Sequence, residues 1–351
     1  MPKITKIETI RNPKYAKILW TVVYDESGEF GIGETSWGPD TVETFILKEI
    51  APGMIGKNPM ELSKRWDEIC KLGITVRPSG AEVRSLSAID MALHDLVGKL
   101  TEQPLYQILG GLFREKIKIY NTCAGYSYGV NRPETYRNIP GDVDHMPDQK
   151  YEDQQAFMTD AGELAKSLLE EGVSAMKIWP FDQFAGKTNG EFISSKDIDK
   201  GVEPFQKIRD AVGREMDIMV ELHSMWNLPS AKRIAKALEP IEPLWYEDPK
   251  QNDNLDALSD FRKFTHITVT ASETMSLRWS FRELFEKKAV DICMFDICWV
   301  GGISEANRIS AMAAANHLPV APHDCVGPIT LINGIHLSLS APNAMIQETV
   351  R

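Results

Sequence analysis

The 351-residue sequence predicts an α/β protein, a (β/α)8-type barrel over residues 116–351 preceded by an α+β domain over residues 1–115. Three observations carry this expectation. Beyond Lys116, short apolar runs alternate with helix-period segments, the pattern of repeated βα units around a parallel sheet. Eight such runs can be counted, as a closed barrel requires. Six of them end in a polar residue at near-constant spacing.

The first part mixes strands with helices. Ile18 to Tyr24 and Phe30 to Gly33 flank the turn-forming Asp25-Glu26-Ser27-Gly28, which reads as a β-hairpin. Leu86, Ile89, Leu93, Leu96, Val97 and Leu100 then recur at helical spacing. Gly110-Gly111 closes a second, short helical stretch. The eight later strands are expected at Ile117 to Cys123, Ala175 to Trp179, Ile218 to Glu221, Leu244 to Glu247, Ile267 to Glu273, Ile292 to Asp296, Pro319 to His323 and Ala344 to Glu348. Helix-like patterns such as Ala231, Ile234, Ala235 and Leu238 fall between them. Two connections exceed what barrel geometry needs, from about Tyr126 to Glu152 and from Pro180 to about Lys196. Loop length leaves each open as a lid or as a disordered surface insertion.

Spacing is the informative feature. Glu221 and Glu247 lie 26 residues apart, as do Glu247 and Glu273; Asp296 follows after 23, His323 after 27 and Glu348 after 25. Each closes its expected strand, and in a barrel the C-terminal strand ends converge on one mouth, where catalytic groups sit.

Composition narrows the partners. A net charge of −11 disfavours nucleic acid and anionic membrane surfaces, which need a basic footprint. An anionic small molecule stays possible if a bound cation reverses the local sign. The five cysteines form no CxxC pair, which suggests reduced thiols in a cytosol. Neither a signal-peptide core at the N-terminus nor an apolar run of spanning length is evident, so a cytoplasmic protein is expected.

Three carboxylates aimed at one point repel one another unless a cation neutralises them. A hard divalent ion prefers such oxygen ligands, and Mg²⁺ keeps positions open for substrate. Glu221, Glu247 and Glu273 are therefore candidate metal ligands; exposed glutamates paired with local lysines are the bland alternative. Asp296 beside His323 would fix the imidazole tautomer and make it a better general base, against a merely structural histidine. Lys177 shares a strand face with Trp179 and could stabilise charge on an enolate, or simply reach past apolar neighbours to the surface. His223, two residues beyond Glu221, could serve as a second acid or base, or bond to the backbone of its loop. Glu348 could donate a hydrogen bond if kept protonated, or pair with a barrel lysine.

Taken together, these positions resemble the enolase superfamily, mandelate racemase subgroup, and the resemblance runs over nearly the whole chain. Gly31-Ile32-Gly33-Glu34-Thr35 and Ala88-Ile89-Asp90-Met91-Ala92-Leu93-His94-Asp95 look like pieces of that family's capping domain. Tyr246-Glu247-Asp248-Pro249 and Ala271-Ser272-Glu273-Thr274 look like its second and third ligand segments. The resemblance implies that Glu221, Glu247 and Glu273 bind Mg²⁺, which chelates a substrate carboxylate. His323, oriented by Asp296, would take the proton α to that carboxylate. Lys177 would hold or polarise a carboxylate oxygen, and Glu348 would hydrogen-bond the enediolate. A symmetric homo-oligomer is also implied.

Two departures bear on the reaction. Racemases of the group often carry Lys-x-Lys on the second barrel strand, whereas Trp179 stands in the second place here. His223 matches a histidine that assists departure of a β-hydroxyl in several acid-sugar dehydratases. Relatives also continue past the eighth strand, while this sequence stops at Arg351. The leading expectation is a dehydratase acting on an aldonate or similar sugar acid to give a 2-keto-3-deoxy acid. A racemase or epimerase using the same enediolate is the alternative, and a binding protein that kept the barrel is a third reading. Tyr126, Tyr128, Asn131, Arg132 and Arg137 would suit a lid over a hydroxylated anion, and Trp37 is expected to reach the pocket.

Overall fold

The computed structural model describes residues 2–72, 80–125, 151–325 and 327–351. The lid residues expected between Tyr126 and Arg137 lie outside the described residues.

Strands β1 (Ile4–Ile10), β2 (Ile18–Asp25) and β3 (Phe30–Ser36) form an antiparallel meander. The hairpin turn is held by Asp25, whose Oδ1 accepts from the Ser27 and Glu29 amides at 3.0 and 3.1 Å. The helix foreseen around Leu86 to Leu100 spans Ala81–Thr101 and lies on β3. Glycine makes that contact possible: a Cβ on Gly31 would stand 2.0 Å from the Ala92 carbonyl oxygen, and one on Gly33 1.8 Å from that of Ala88. Leu19, Val23, Leu86, Ile89 and Leu93 form the core between sheet and helix.

In the second part, β4 (Ile119–Thr122), β5 (Ala175–Ile178), β6 (Asp217–Glu221), β7 (Trp245–Glu247), β8 (Thr268–Ala271), β9 (Ile292–Cys293) and β10 (Gln347–Thr349) pair in parallel. Their spatial order is β10-β4-β5-β6-β7-β8-β9. The strand expected at Pro319 to His323 is replaced by isolated bridges, Val320 to Cys293 and His323 to Asp296 on one side and Val320 to Ala344 on the other. Pro319 and Pro322 lack the amide hydrogens that a continuous ladder needs. These bridges still close the ring, so the architecture is a (β/α)8-type barrel. Tyr120, Met219, Trp245, Met294 and Ile346 plug its interior, each burial contributing roughly 1.5–3 kcal/mol. The functional space is thereby confined to the C-terminal mouth.

The connection after β5 is folded. A helix, Asp182–Thr188, ends on Asn189 in the left-handed region (φ 53°), and the next helix, Ser195–Val212, is capped by Ser194. Helical hydrogen bonding thus replaces the open loop that its length suggested.

The two parts meet on the segment that follows β9. Asp90 accepts from the Ser304 amide and hydroxyl at 2.8 and 2.7 Å. The Gly301 amide donates to Ser87 Oγ at 2.9 Å, and Trp66 Nε1 donates to the Gly301 carbonyl at 2.7 Å. Thr35 Oγ1 donates to the Cys298 carbonyl at 2.8 Å. Glu34, buried, accepts from the Thr330 amide and hydroxyl at 3.0 and 2.8 Å. Among the described residues no helix is long and apolar enough to cross a membrane.

Candidate active site

Glu221 and Glu247 close neighbouring strands in register, and Glu273 stands two residues past β8. One carboxylate oxygen from each lies within 4.8 Å of the other two. Lys177, fully buried on β5, places Nζ 2.5 Å from Glu247 Oε1, 2.9 Å from Glu348 Oε1 and 3.5 Å from Glu221 Oε2. Trp245 Nε1 and the His223 amide donate to Glu247 Oε2 and Glu221 Oε1, at 3.0 and 2.6 Å. Glu221 Oε2 is buried and, among the described residues, meets only the Lys177 charge at 3.5 Å and accepts no hydrogen bond. Burial raises the Glu221 carboxyl to about 8 in spite of Lys177. So much carboxylate in so little water calls for protons or for a cation, and an all-oxygen set with an unfilled lone pair suits a hard divalent ion. Three acidic side chains that could hold a metal are therefore present where the spacing put them.

Asp296 and His323 are bridge partners on adjacent barrel positions, and Asp296 Oδ2 lies 2.7 Å from His323 Nδ1. The second Asp296 oxygen accepts from the Cys298 amide at 2.7 Å, which fixes the carboxylate. The Trp299 ring lies over the imidazole with centroids 5.4 Å apart. His323 Nε2 faces the acids, 2.8 Å from Glu273 Oε2 and 3.8 Å from Glu348 Oε2. Burial works against charge on this imidazole, yet Glu273 and Glu348 raise it well above the ordinary histidine value. Burial also opposes ionisation of Glu273, but the charges of His323, His223 and Lys177 hold its carboxyl at about 2. Glu348 Oε1 forms an ion pair with Lys177, and its Oε2 accepts from the Asp324 amide at 2.9 Å. Burial opposes its charge, but Lys177 and His323 keep it below the ordinary glutamate value.

His223 belongs to a second pair that sequence reasoning did not find. Its Nδ1 lies 2.5 Å from Oδ2 of Asp182, a carboxylate with no exposure that opens the helix after β5. Burial disfavours charge on His223, and Asp182 reverses this, so its pKa is raised. His223 and Ser224 both take left-handed backbone conformations (φ 46° and 55°), uncommon for residues with a Cβ. That turn lifts the imidazole over the mouth, edge-on to Trp179 with ring centroids 5.6 Å apart. The only sequence signal for Asp182 was an acid in the first turn of a helix, which explains itself without a site.

A cavity of about 340 Å³ joins these groups. Lys177, Trp179, His223, Glu273 and His323 line its floor, and the first domain contributes Trp37 and Arg84. Of these seven, the sequence had brought all but Arg84 to this mouth; Thr122, Ala124, Trp299 and Cys325, which also line it, had not been expected there.

Residues 160–351 match the family model described as Enolase C-terminal domain-like, and residues 5–110 match the N-terminal domain of mandelate racemase / muconate lactonizing enzyme. Among solved structures, an enolase of the mandelate racemase subgroup from Agrobacterium tumefaciens is 45% identical, with a TM-score of 0.87 over 99% of this chain and 85% of that one. An enolase protein from Sargasso Sea environmental sequence is 39% identical, with a TM-score of 0.88 over 100% and 86% of the two chains. A mandelate racemase/muconate lactonizing enzyme-like protein from Rubrobacter xylanophilus is 29% identical, with a TM-score of 0.86 over 99% and 86%. The chain belongs to the enolase superfamily, in its mandelate racemase subgroup.

Proposed function

We propose that this protein is a Mg²⁺-dependent dehydratase of a sugar acid, forming a 2-keto-3-deoxy acid. The observation that carries the reading is a pair of Asp/His dyads on opposite walls of one mouth. His323 with Asp296 sits at the seventh barrel position and His223 with Asp182 at the third, while Trp179 occupies the site of a second lysine base.

Glu221, Glu247 and Glu273 would hold the ion. A Mg²⁺ held there would supply positive charge to the substrate carboxylate and offset the carboxylate charge that raises His323. His323 Nε2 takes the proton from Cα, with Nδ1–H donated to Asp296. Lys177 meets the negative charge that develops on the carboxylate oxygens, and Glu348 holds Lys177 in place. The Cα–H electrons become the Cα–Cβ double bond as the β-hydroxyl departs. His223 gives that hydroxyl a proton, so water leaves and the enol tautomerises to the 2-keto acid. The reading carries with it a small carboxylate substrate, a cytoplasmic setting and a homo-oligomer.

The same opposed imidazoles favour one second reading, a racemase or epimerase in which His223 returns a proton to the other face of Cα. A screen of aldonates and aldarates with Mg²⁺ separates the two. Formation of 2-keto acid supports the dehydratase; Cα exchange with solvent deuterium and no keto product supports the isomerase. In the dehydratase His323→Asn should abolish Cα exchange. In the isomerase it should confine exchange to the one epimer whose proton faces His223, and exchange of both epimers would refute the base assignment.

A further inference from the structure

Arg84 projects from the first turn of the helix Ala81–Thr101 into the cavity that holds the dyads. Its guanidinium lies over the Trp299 ring, 5.9 Å from the centroid, and the same ring packs on His323. Trp299 is itself fixed, since its Nε1 donates to Ser36 Oγ at 3.1 Å. Arg84 is thus held beyond Trp299, on the first-domain side of the mouth and away from the acids.

Among the described residues, the guanidinium of half-buried Arg84 makes no ion pair and no hydrogen bond. Other sheltered arginines behave differently: Arg65, Arg262, Arg278, Arg308 and Arg351 each meet a carboxylate. Burial pulls the Arg84 guanidinium below its ordinary value, the direction expected of a cation without a close anion. Lys17, also half-buried and unpaired among the described residues, lies over Trp37 on the same rim at 4.5 Å. Lys177 cannot serve this end, because three carboxylates already surround it. A protein of net charge −11 has thus placed a cation, uncommitted among the described residues, across a small cavity from its own carboxylate cluster.

We infer that Arg84 receives a second carboxylate at the far end of the substrate, so that the preferred sugar acid is a dicarboxylate, an aldarate, rather than an aldonate. The inference rests on the dehydratase reading for which end enters the acids. The planar guanidinium matches a carboxylate with two parallel hydrogen bonds, a geometry that lysine cannot copy. One anionic end goes to the acid cluster with its ion and the other to Arg84. The hydroxylated chain between them then lies past His323 and His223.

Binding without turnover tests this. In a His323→Asn background with Mg²⁺, calorimetric titrations compare galactarate with galactonate, and glucarate with gluconate. At least one diacid should bind about tenfold or more tightly than its partner, the size of one charge-assisted hydrogen bond. Arg84→Gln should remove that advantage and leave the monoacid affinity nearly unchanged, while Arg84→Lys should keep part of it. No diacid preference, no binding of either class, or an equal loss for both acids in Arg84→Gln overturns the inference. So does a stronger Arg84-dependent preference for 6-phosphogluconate, which would make the distal group a phosphate. Thermal melts of each variant identify a folding defect. If the diacid preference depends on Arg84 yet the wild-type enzyme forms no 2-keto acid, the reaction assignment falls and the binding site stands.

Discussion

Replacing Lys177 with Met tests the charge balance at the barrel mouth without any substrate. The side chain is 2% exposed, and its ammonium has carboxylate oxygens at 2.5, 2.9 and 3.5 Å. Methionine fills much the same volume, so a cavity adds little. What is lost is the only cation within salt-bridge distance of Glu247 among the described residues. Removing one partner from a buried ion pair costs roughly 3–5 kcal/mol. At roughly 2.1 cal/mol/K per residue, a 351-residue chain unfolds with an entropy near 0.7 kcal/mol/K, so the melting temperature should fall by roughly 4–7 °C in chelator. Mg²⁺ at a hundred times its Kd contributes about 2.7 kcal/mol, roughly 4 °C. The variant, whose acids have lost the lysine's charge, should bind it more tightly than the wild type and gain more, narrowing the gap. Differential scanning calorimetry of both proteins, with EDTA and with Mg²⁺, reads all four values. A metal-free variant that melts with the wild type, or that gains no more from Mg²⁺ than the wild type does, refutes the view that lysine and metal share the neutralisation of these acids.

Three further outcomes follow from other contacts. Asp296→Asn removes the negative charge and leaves one acceptor oxygen for two donors, the Cys298 amide and His323 Nδ1–H, so deuterium incorporation at Cα, followed by proton NMR, should slow by roughly 10²–10⁴. Asp182→Asn should depress 2-keto acid formation by about 10² while Cα exchange continues, a split that a general loss of folding would not produce. Gly33→Ala brings a methyl against the Ala88 carbonyl and should destabilise by roughly 1–3 kcal/mol, read as a lower calorimetric melting temperature.

The barrel was legible because its strands are buried apolar runs with a polar residue at each mouth. Their regular period survives even where hydrogen bonding does not, as at Pro319 to His323. The same prolines explain why that run is a set of bridges, a distinction hydrophobic pattern does not encode. β1 escaped notice because Ile4–Ile10 mixes threonine, lysine and glutamate with its isoleucines and is buried at only a few positions. Within the site, the three glutamates, Lys177, Asp296, His323 and Glu348 could be located because each is tied to a strand end. Asp182 and Arg84 are not. One opens a helix 41 residues from its histidine, and the other comes from the first turn of a helix in the other domain. Their proximity to the mouth is a product of tertiary packing, and no local spacing reports it.

The hydrogen bonds that Asp90, Ser87, Thr35 and Trp66 make to residues 298–304 have an implication for how such proteins diversify. They grip the stretch immediately downstream of the carboxylate that orients His323. Exchanging the first domain for that of a relative would therefore disturb the Asp296–His323 pair as well as the cavity wall that Trp37 and Arg84 supply. A viable chimera needs Asp90, Ser87 and Trp66 to travel with the barrel's Gly301 and Gly302, where a Cβ at Gly302 would stand 2.5 Å from Asp90 Oδ2. Recombination at the domain boundary is constrained by this small set of contacts, whereas substitutions at Trp37 or Arg84 leave it untouched.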